Sequence, residues 1–393
     1  MDLYLQLGWG MMALCEHLLK RWGGGTAILS PRDLEEGQLI SLSRKLRALG
    51  GSVLLDPQFY DPRADHPRLT SHEYWPSDYG TSGFNDHGRQ VMMDRLAELN
   101  RRLATTHLIV PGEKADDVDD RWLKSQRAFR KAALAATDQS LIATVCLSSN
   151  AASVDEQTSL AVDQAESASM SGYYLVAERP KGAYLVADAK WLSNVLDLAA
   201  ALRRLGSNVV IGYSNHQQLI MACAGVNAIA SGSTMGVRAF STGRFQAPKG
   251  KVIYRGTWYY CPQALSEYSV PALDIGVRSG LKADLVPDPS TPYAAPLFSA
   301  PKPSASGWDQ SAQNRHYLTA LRLQAREASC ASFDDTVDNH RNLLNRAGRL
   351  LDRLHQKGVR GQARDFRPVL DTNYAALTAL ESTQGPVLRR SWP

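Results

Sequence analysis

Three carboxylates stand where an apolar run gives way to polar residues: Asp56 after residues 52–55, Glu113 after 107–110, and Glu178 after 173–177. Residues able to hold a ligand occupy similar positions elsewhere. They are Gln6, Ser30 with Arg32, Gln58 with Phe59, Ser148 with Asn150, Arg179, Asn215 with His216, and Ser231 with Arg238. Two or three carboxylates with an arginine and an amide can move protons or exchange a group at a glycosidic bond. Asp56 is the first choice for catalysis, with Glu178 and Glu113 as its partners, because its strand runs straight into an Asp-Pro turn flanked by Phe59 and Tyr60. Burial should raise its pKa, and a cation such as Arg179 or Arg32 should lower it. The competing reading makes several of these residues helix N-caps or loop ion pairs. For His216, at the start of a helix, solvated capping is preferred over catalysis.

A different chemistry is offered by residues 231–236, a Ser/Gly-rich loop following the apolar run 227–230. Backbone N–H groups around Ser231, Gly232 and Ser233 can face an anion there, with Arg238 as counter-charge.

These positions are useful only if the chain gathers them at one place. Short apolar runs (3–7, 26–29, 52–55, 107–110, 141–147, 173–177, 208–212 and 227–230) alternate with helical patterns at 13–22, 33–49, 86–104, 121–136, 156–169, 188–205 and 217–225. Eight strands within about 230 residues, seven followed by helices, predict a (β/α)8 barrel at 1–245, preferred over an open doubly wound sheet. A barrel collects ligand-binding residues at the strand carboxyl ends, where the candidates lie. The insertion 61–85 carries His66, His72, Tyr74, Trp75 and Tyr79. It reads either as a binding loop whose rings stack on a base or as a small core of its own.

After Phe240 the alternation stops. An aromatic strand-containing extension is expected at 246–284, with its strand at 251–260. A Pro-rich linker follows at 285–310, holding six of the nineteen prolines and expected to be an extended strap, not a helix. The last part, 311–393, reads as helical and basic. Arg346, Arg349, Arg353, Lys357, Arg360 and Arg364 recur every three or four residues and would share one helical face, opposite Leu343, Leu344, Ala347, Leu350, Leu351 and Leu354. From 340 to 367 there are eight basic residues against two acidic, a larger excess than the whole chain's +5. A single-sign face of this kind suits phosphates, so DNA or RNA is the expected partner. Protein partners on the C-terminal helices and strap are the second choice.

Composition narrows the classes further. With 44% apolar residues but no run of about eighteen, a large core is expected and no membrane span. The N-terminus has no basic leader with a cleavage site, so no signal peptide is expected. Five scattered cysteines without close pairs suggest reduced thiols in the cytoplasm, with no metal site and no cofactor.

The order of elements from Gly51 to Arg238 resembles the tRNA-guanine transglycosylase superfamily, including its DNA-modifying relatives. Asp56-Pro57-Gln58-Phe59 stands where that family has Asp-Ser-Gly-Gly-Phe, and Val209 to Arg238 is similar to its strand–helix–strand leading to a Pro-Thr-Arg-like loop. The resemblance implies a TIM-barrel protein that modifies or exchanges a base in nucleic acid. Three features depart from the family. Glu178-Arg179-Pro180-Lys181-Gly182 replaces its Gly-rich base-recognising segment, Ser231 stands where it carries a nucleophilic aspartate, and its zinc-binding cysteines are missing. A covalent intermediate on strand eight is therefore unavailable. Either Asp56 and Glu178 carry the chemistry, or the barrel binds nucleic acid as a non-catalytic subunit of a larger assembly.

Overall fold

Continuous apolar runs, as opposed to alternating ones, mark strands buried on both faces of a parallel sheet. A computed structural model of the chain describes residues 1–76, 84–168, 170–248, 256–288 and 290–392. The strands are β1 (Asp2–Gln6), β2 (Gly25–Leu29), β3 (Gly51–Leu55), β4 (Leu108–Val110), β5 (Leu141–Leu147), β6 (Gly172–Ala177), β7 (Asn208–Ile211) and β8 (Ala228–Ser231). They form one sheet in the order β3-β2-β1-β8-β7-β6-β5-β4. β1 pairs in parallel with both β2 and β8, which wraps the sheet around. No ladder joins β3 to β4. The seam is bridged by the Thr106 N–H, which donates to the Val53 carbonyl at 3.1 Å. The chain is thus a nearly closed (β/α)8 barrel, the predicted fold.

Each gap between the first seven strands holds one long helix: α1 (Met12–Trp22), α2 (Glu36–Ala48), α3 (Asp86–Leu103), α4 (Asp120–Ala136), α5 (Asp155–Ala168) and α6 (Ala189–Arg204), with short helices also at Pro67–Thr70 and Ser149–Ser153. Side-chain caps set several starts. Asn85, Asp119 and Asp188 accept the N–H groups of Gly88, Trp122 and Trp191. Asp33, the first residue of the helical pattern read at 33–49, is instead buried and bonded to Ser30 and Arg244, and α2 opens three residues later on a Glu35/Gln38 capping box. The seventh crossover is a 3-10 helix, His216–Ala224, buried along its whole length.

That burial comes from the far end of the chain. Helix α8 (Gln310–Ala328) packs on β1, α1 and the 3-10 helix, so it fills the eighth helical position. Helices α9 (Phe333–Gln356) and α10 (Leu370–Thr383) cover the 3-10 helix from outside, and α10 lies along α6. The strands end within about one residue of where expected, but the outer layer is completed only beyond residue 310. Between them a hairpin, β9 (Trp258–Cys261) with β10 (Ser266–Ser269), leads into α7 (Val270–Arg278). Residues 251–255 of the expected strand lie outside the described residues.

The Pro-rich stretch is not wholly extended. It contains a short helix, Ala295–Ser299, with proline in its first turn, where a missing N–H costs nothing. It is tied down by Thr291 to His316 Nδ1 (2.7 Å) and Tyr293 to His17 Nε2 (2.8 Å). Helix α9 buries Leu344, Ala347, Leu350, Leu351 and Leu354 as predicted, each leucine contributing about 2 kcal/mol over exposure. It stops at Gln356, and Gly358 takes a left-handed φ of 76°. The expected basic face therefore ends at Arg353, with Lys357, Arg360 and Arg364 beyond the helix. No described helix is long and apolar enough to cross a membrane.

Candidate functional site

Asp56 follows β3 at the carboxyl-terminal mouth of the barrel and is 1% exposed. Its carboxylate accepts hydrogen bonds from the Tyr213 hydroxyl (2.7 Å to Oδ2), the Tyr60 hydroxyl (2.9 Å to both oxygens) and the Gln58 N–H (2.9 Å to Oδ1). Tyr174 and Gln6 approach Oδ2 at 3.5 and 3.4 Å, and the Tyr174 hydroxyl donates to Gln6 Oε1 at 2.7 Å. Burial raises the Asp56 pKa, and the bonds from Tyr213, Gln58 and Tyr60 pull it partway back. The nearby cation is Arg244, not Arg179 or Arg32. Gln58 and Tyr213 hold left-handed backbone angles (φ 56° and 53°) that their side chains disfavour, so the surrounding contacts over-determine them.

The aromatic rings of this network close the mouth. Tyr60 packs on Phe240 (4.9 Å between centroids), Phe245 (5.4 Å) and Tyr213 (6.1 Å). Gln58 donates to Ser30 Oγ at 2.8 Å and accepts the Arg32 N–H at 2.9 Å, joining Asp56 to the Ser30–Asp33–Arg244 cluster. Every polar group of this network has an internal partner.

A second buried network ties the C-terminal region to the barrel. Glu267, from β10, accepts from Arg238 (3.4 Å), Arg364 (2.7 Å) and the Tyr184 hydroxyl (2.5 Å). Burial alone would raise the Glu267 pKa, but the two arginines outweigh it and hold the carboxyl below its usual range. The Arg238 guanidinium lies 3.4 Å from the centre of the Tyr317 ring, and its Nε donates to the Gly232 carbonyl. Arg238 is thus held by Glu267, Tyr317 and the Gly232 carbonyl, while its Nη2 is buried without a hydrogen-bond partner. In the 231–236 loop the Ser233 N–H meets Met11 Sδ, and a Cβ at Gly232 would fall 2.4 Å from the Gln6 carbonyl oxygen.

The remaining candidates are spread over several roles. Phe59 packs in the core with Trp75 and Phe129, and His72 and Tyr74 bond to the carbonyls of Pro31 and Pro57, so the described part of the insertion packs into the barrel's core and does not form a separate one. Tyr79 lies outside the described residues. Ser148 caps the short helix Ser149–Ser153, and Asn150 is exposed on it. Arg179 donates to the Tyr213 carbonyl (3.3 Å) and Gln218 Oε1 (3.0 Å), and Asn215 caps the 3-10 helix. His216 is buried among Tyr184, Tyr260, Tyr317 and Phe366, not solvated, and burial lowers its pKa to about 3. Ser231, the last residue of β8, is fully buried beside Leu5.

Glu113 and Glu178 are not bonded to the Asp56 network. Glu113 borders an open cleft of about 910 Å³ whose wall also includes Tyr60 and Lys114, whereas Glu178 lies outside that wall and meets it only through Lys114. Lys114 bridges Asp116 (3.1 Å) and Glu178 (3.2 Å). Burial pulls its pKa down, yet the two carboxylates more than offset that and leave it raised, so the amine stays protonated. Among the described residues, no group of three or more His, Cys, Asp and Glu is placed to hold a metal.

Sequence reasoning found Asp56, Gln58, Tyr60, Gln6, Ser30, Arg32 and Arg238 but missed Tyr174, Tyr213, Arg244, Lys114 and Glu267. Tyr213 and Lys114 stood beside residues already singled out. Glu267 gave no local signal.

On the outer surface, Arg346, Arg349, Lys357 and Arg360 are exposed and have no carboxylate partner among the described residues. Arg353 pairs with Asp284 at 2.5 Å, and Arg364 turns inward to Glu267.

No protein-family model matches the chain, and no curated protein matches it in sequence. Similar solved structures include D-psicose 3-epimerase with D-tagatose from Clostridium cellulolyticum H10 (8% identity, 84% of this chain and 100% of that one, TM-score 0.38). Others are xylanase B from Clostridium stercorarium F9 (9%, 63% and 91%, 0.37) and 3-dehydroquinate dehydratase from Aquifex aeolicus VF5 (10%, 63% and 94%, 0.35). Identities and scores this low carry no argument about activity.

Proposed function

We propose that the chain is a nucleic-acid-associated barrel whose mouth serves architecture, acting as a binding or scaffolding subunit instead of turning over a base. One observation carries the reading: the Asp56 carboxylate is consumed by internal donors beneath an aromatic plug, while Arg346, Arg349, Lys357 and Arg360 stand exposed without carboxylate partners. Basic side chains left free in this way suit phosphate oxygens. The resemblance to tRNA-guanine transglycosylases points to the same class of partner, and the Ser231 substitution for its nucleophile agrees with binding without exchange. The test is the salt dependence of binding to DNA and RNA duplexes and single strands, with mass spectrometry of nucleosides from nucleic acid that co-purifies. Binding that does not respond to salt would reassign the arginine face to a protein partner.

A second reading, a transglycosylase-like enzyme using Asp56, is favoured by the raised Asp56 pKa and by Tyr60, which both bonds Asp56 and lines the open cleft. It requires the plug to open. Base exchange or nucleoside modification that disappears in Asp56→Asn would establish it.

A further inference from the structure

A cleft of about 580 Å³ lies between α8, α9 and the segment 283–288, a volume suited to a small ligand. Arg346 and Arg349 line it, and His340 forms part of its wall. His340 is 3% exposed, and neither of its ring nitrogens has a hydrogen-bond partner. His216 is equally unpartnered but is packed among four aromatic rings, which accounts for it as a core residue. Among the described residues His340 has no such ring contacts, and it forms part of the cleft wall instead. Burial lowers its pKa to about 4, so it is neutral, with one nitrogen donating and the other accepting.

The other polar groups of the cleft define what fits. Gln263 spends its Nε2 on the carbonyls of Asp284 (2.9 Å) and Val286 (2.7 Å), leaving its Oε1 buried without a donor. Gln324 is used up by Tyr260 and the Pro262 carbonyl, and Arg353 by Asp284. Asp288 and Glu327 are exposed in the lining and have no ion-pair partner among the described residues. The occupant therefore needs an anionic end for two arginines and donors for Gln263 and the carboxylates. It also needs a mixed donor–acceptor edge for a neutral imidazole. A nucleoside phosphate supplies all three, through its phosphate, its ribose hydroxyls and its base edge.

We propose that this cleft binds one nucleoside phosphate unit, its phosphate on Arg346 and Arg349 and its base against His340 and Gln263. The proposal rests on the nucleic-acid reading above for its choice of ligand, and the unit is either a free nucleotide or the end of a strand. Isothermal titration of the full chain with the four 5′-ribonucleoside monophosphates, inorganic phosphate and a 5′-phosphorylated oligonucleotide tests it. At least one monophosphate should bind about tenfold or more tightly than inorganic phosphate, the value of one or two extra hydrogen bonds. His340→Leu removes no internal hydrogen bond and should weaken that binding about tenfold, while His340→Gln restores part of it. Thermal melts check that each variant is folded, and the Gln variant alone decides if the Leu variant is not. A strand end as the source predicts tighter binding of the phosphorylated oligonucleotide than of its unphosphorylated form, and equal binding assigns the site to free nucleotides. No monophosphate binding tighter than phosphate, or binding unchanged in His340→Leu, overturns the proposal. A salt-dependent affinity for long nucleic acid in that outcome would leave the proposed function standing.

Discussion

The hydroxyl of Tyr213, two residues beyond β7, donates a 2.7 Å hydrogen bond to Oδ2 of Asp56, the residue directly after β3. The bond spans the barrel mouth and joins two strands that are not neighbours in the sheet. An aspartate held in this way orients the aromatic plug above it. It gains no access to solvent.

Asp56→Asn should therefore preserve the fold, since tyrosine hydroxyls can accept as well as donate and the Gln58 N–H still finds an oxygen. The cost should not exceed about 1.5 kcal/mol. Its pH signature is more specific. Because burial raises the folded-state pKa, the folded protein holds this proton longer than the unfolded chain does. Asp56 thus makes stability fall as pH rises through the window between the ordinary carboxylate value and the raised one. Denaturant melts from pH 4 to 8 should show that component in the wild type and not in Asp56→Asn. An identical pH slope in both proteins would assign it to other groups. Nucleic-acid affinity should not change.

Gly232→Ala should fail as a folding variant. The added Cβ would sit 2.4 Å from both the Gln6 carbonyl oxygen and a Val237 methyl, and the first is backbone that cannot easily retreat. A loss of about 1–3 kcal/mol is expected from overpacking. Any ligand affinity should fall only in proportion to the unfolded fraction. Selective loss of anion binding with full stability would restore the loop as an anion site.

What the sequence made legible follows from how far each signal reaches along the chain. The strands were readable because a buried parallel strand is a continuous apolar run, and Asp56 because an Asp-Pro turn ends one of them. Tyr174 and Tyr213 were not, since only closure of the barrel brings them to Asp56. Glu267 meets Arg238 and Arg364 from a hairpin outside the strand pattern, across 29 and 97 residues. The basic periodicity misled beyond Gln356 because Gly358 turns the chain left-handed, which scatters arginines that an uninterrupted helix would have stacked. The eighth helix was hidden by its distance, as nothing in residues 246–309 announces that α8 will return to β1.

The arginines should divide by pairing. Replacing Arg346 and Arg349 together by alanine should lower the log–log salt slope on duplex DNA by about 1.8, at about 0.9 per phosphate contact. Adding Arg353→Ala should change the slope by less than one further contact, because Asp284 already neutralises that side chain at 2.5 Å. Equal steps for all three residues would mean that the Asp284 pair opens on binding.

Arg364→Ala and Glu267→Gln should act on stability instead. Glu267 lies buried between two guanidinium groups, and removing its charge leaves both without a counter-ion. Loss of one partner from a buried ion network costs about 3–5 kcal/mol, so Glu267→Gln should destabilise the fold well beyond Asp56→Asn. The pH dependence runs opposite to that of Asp56. A carboxyl held below its usual range contributes stability that is complete above the ordinary carboxylate pKa and fades as pH falls through the depressed one. The wild type should therefore lose stability as the medium is acidified through that range, and Glu267→Gln should lack that component. Because Arg364 serves this pair, its removal should lower the melting temperature without altering the salt slope of nucleic-acid binding. A flatter slope in Arg364→Ala at unchanged stability would return this arginine to the phosphate-contacting set.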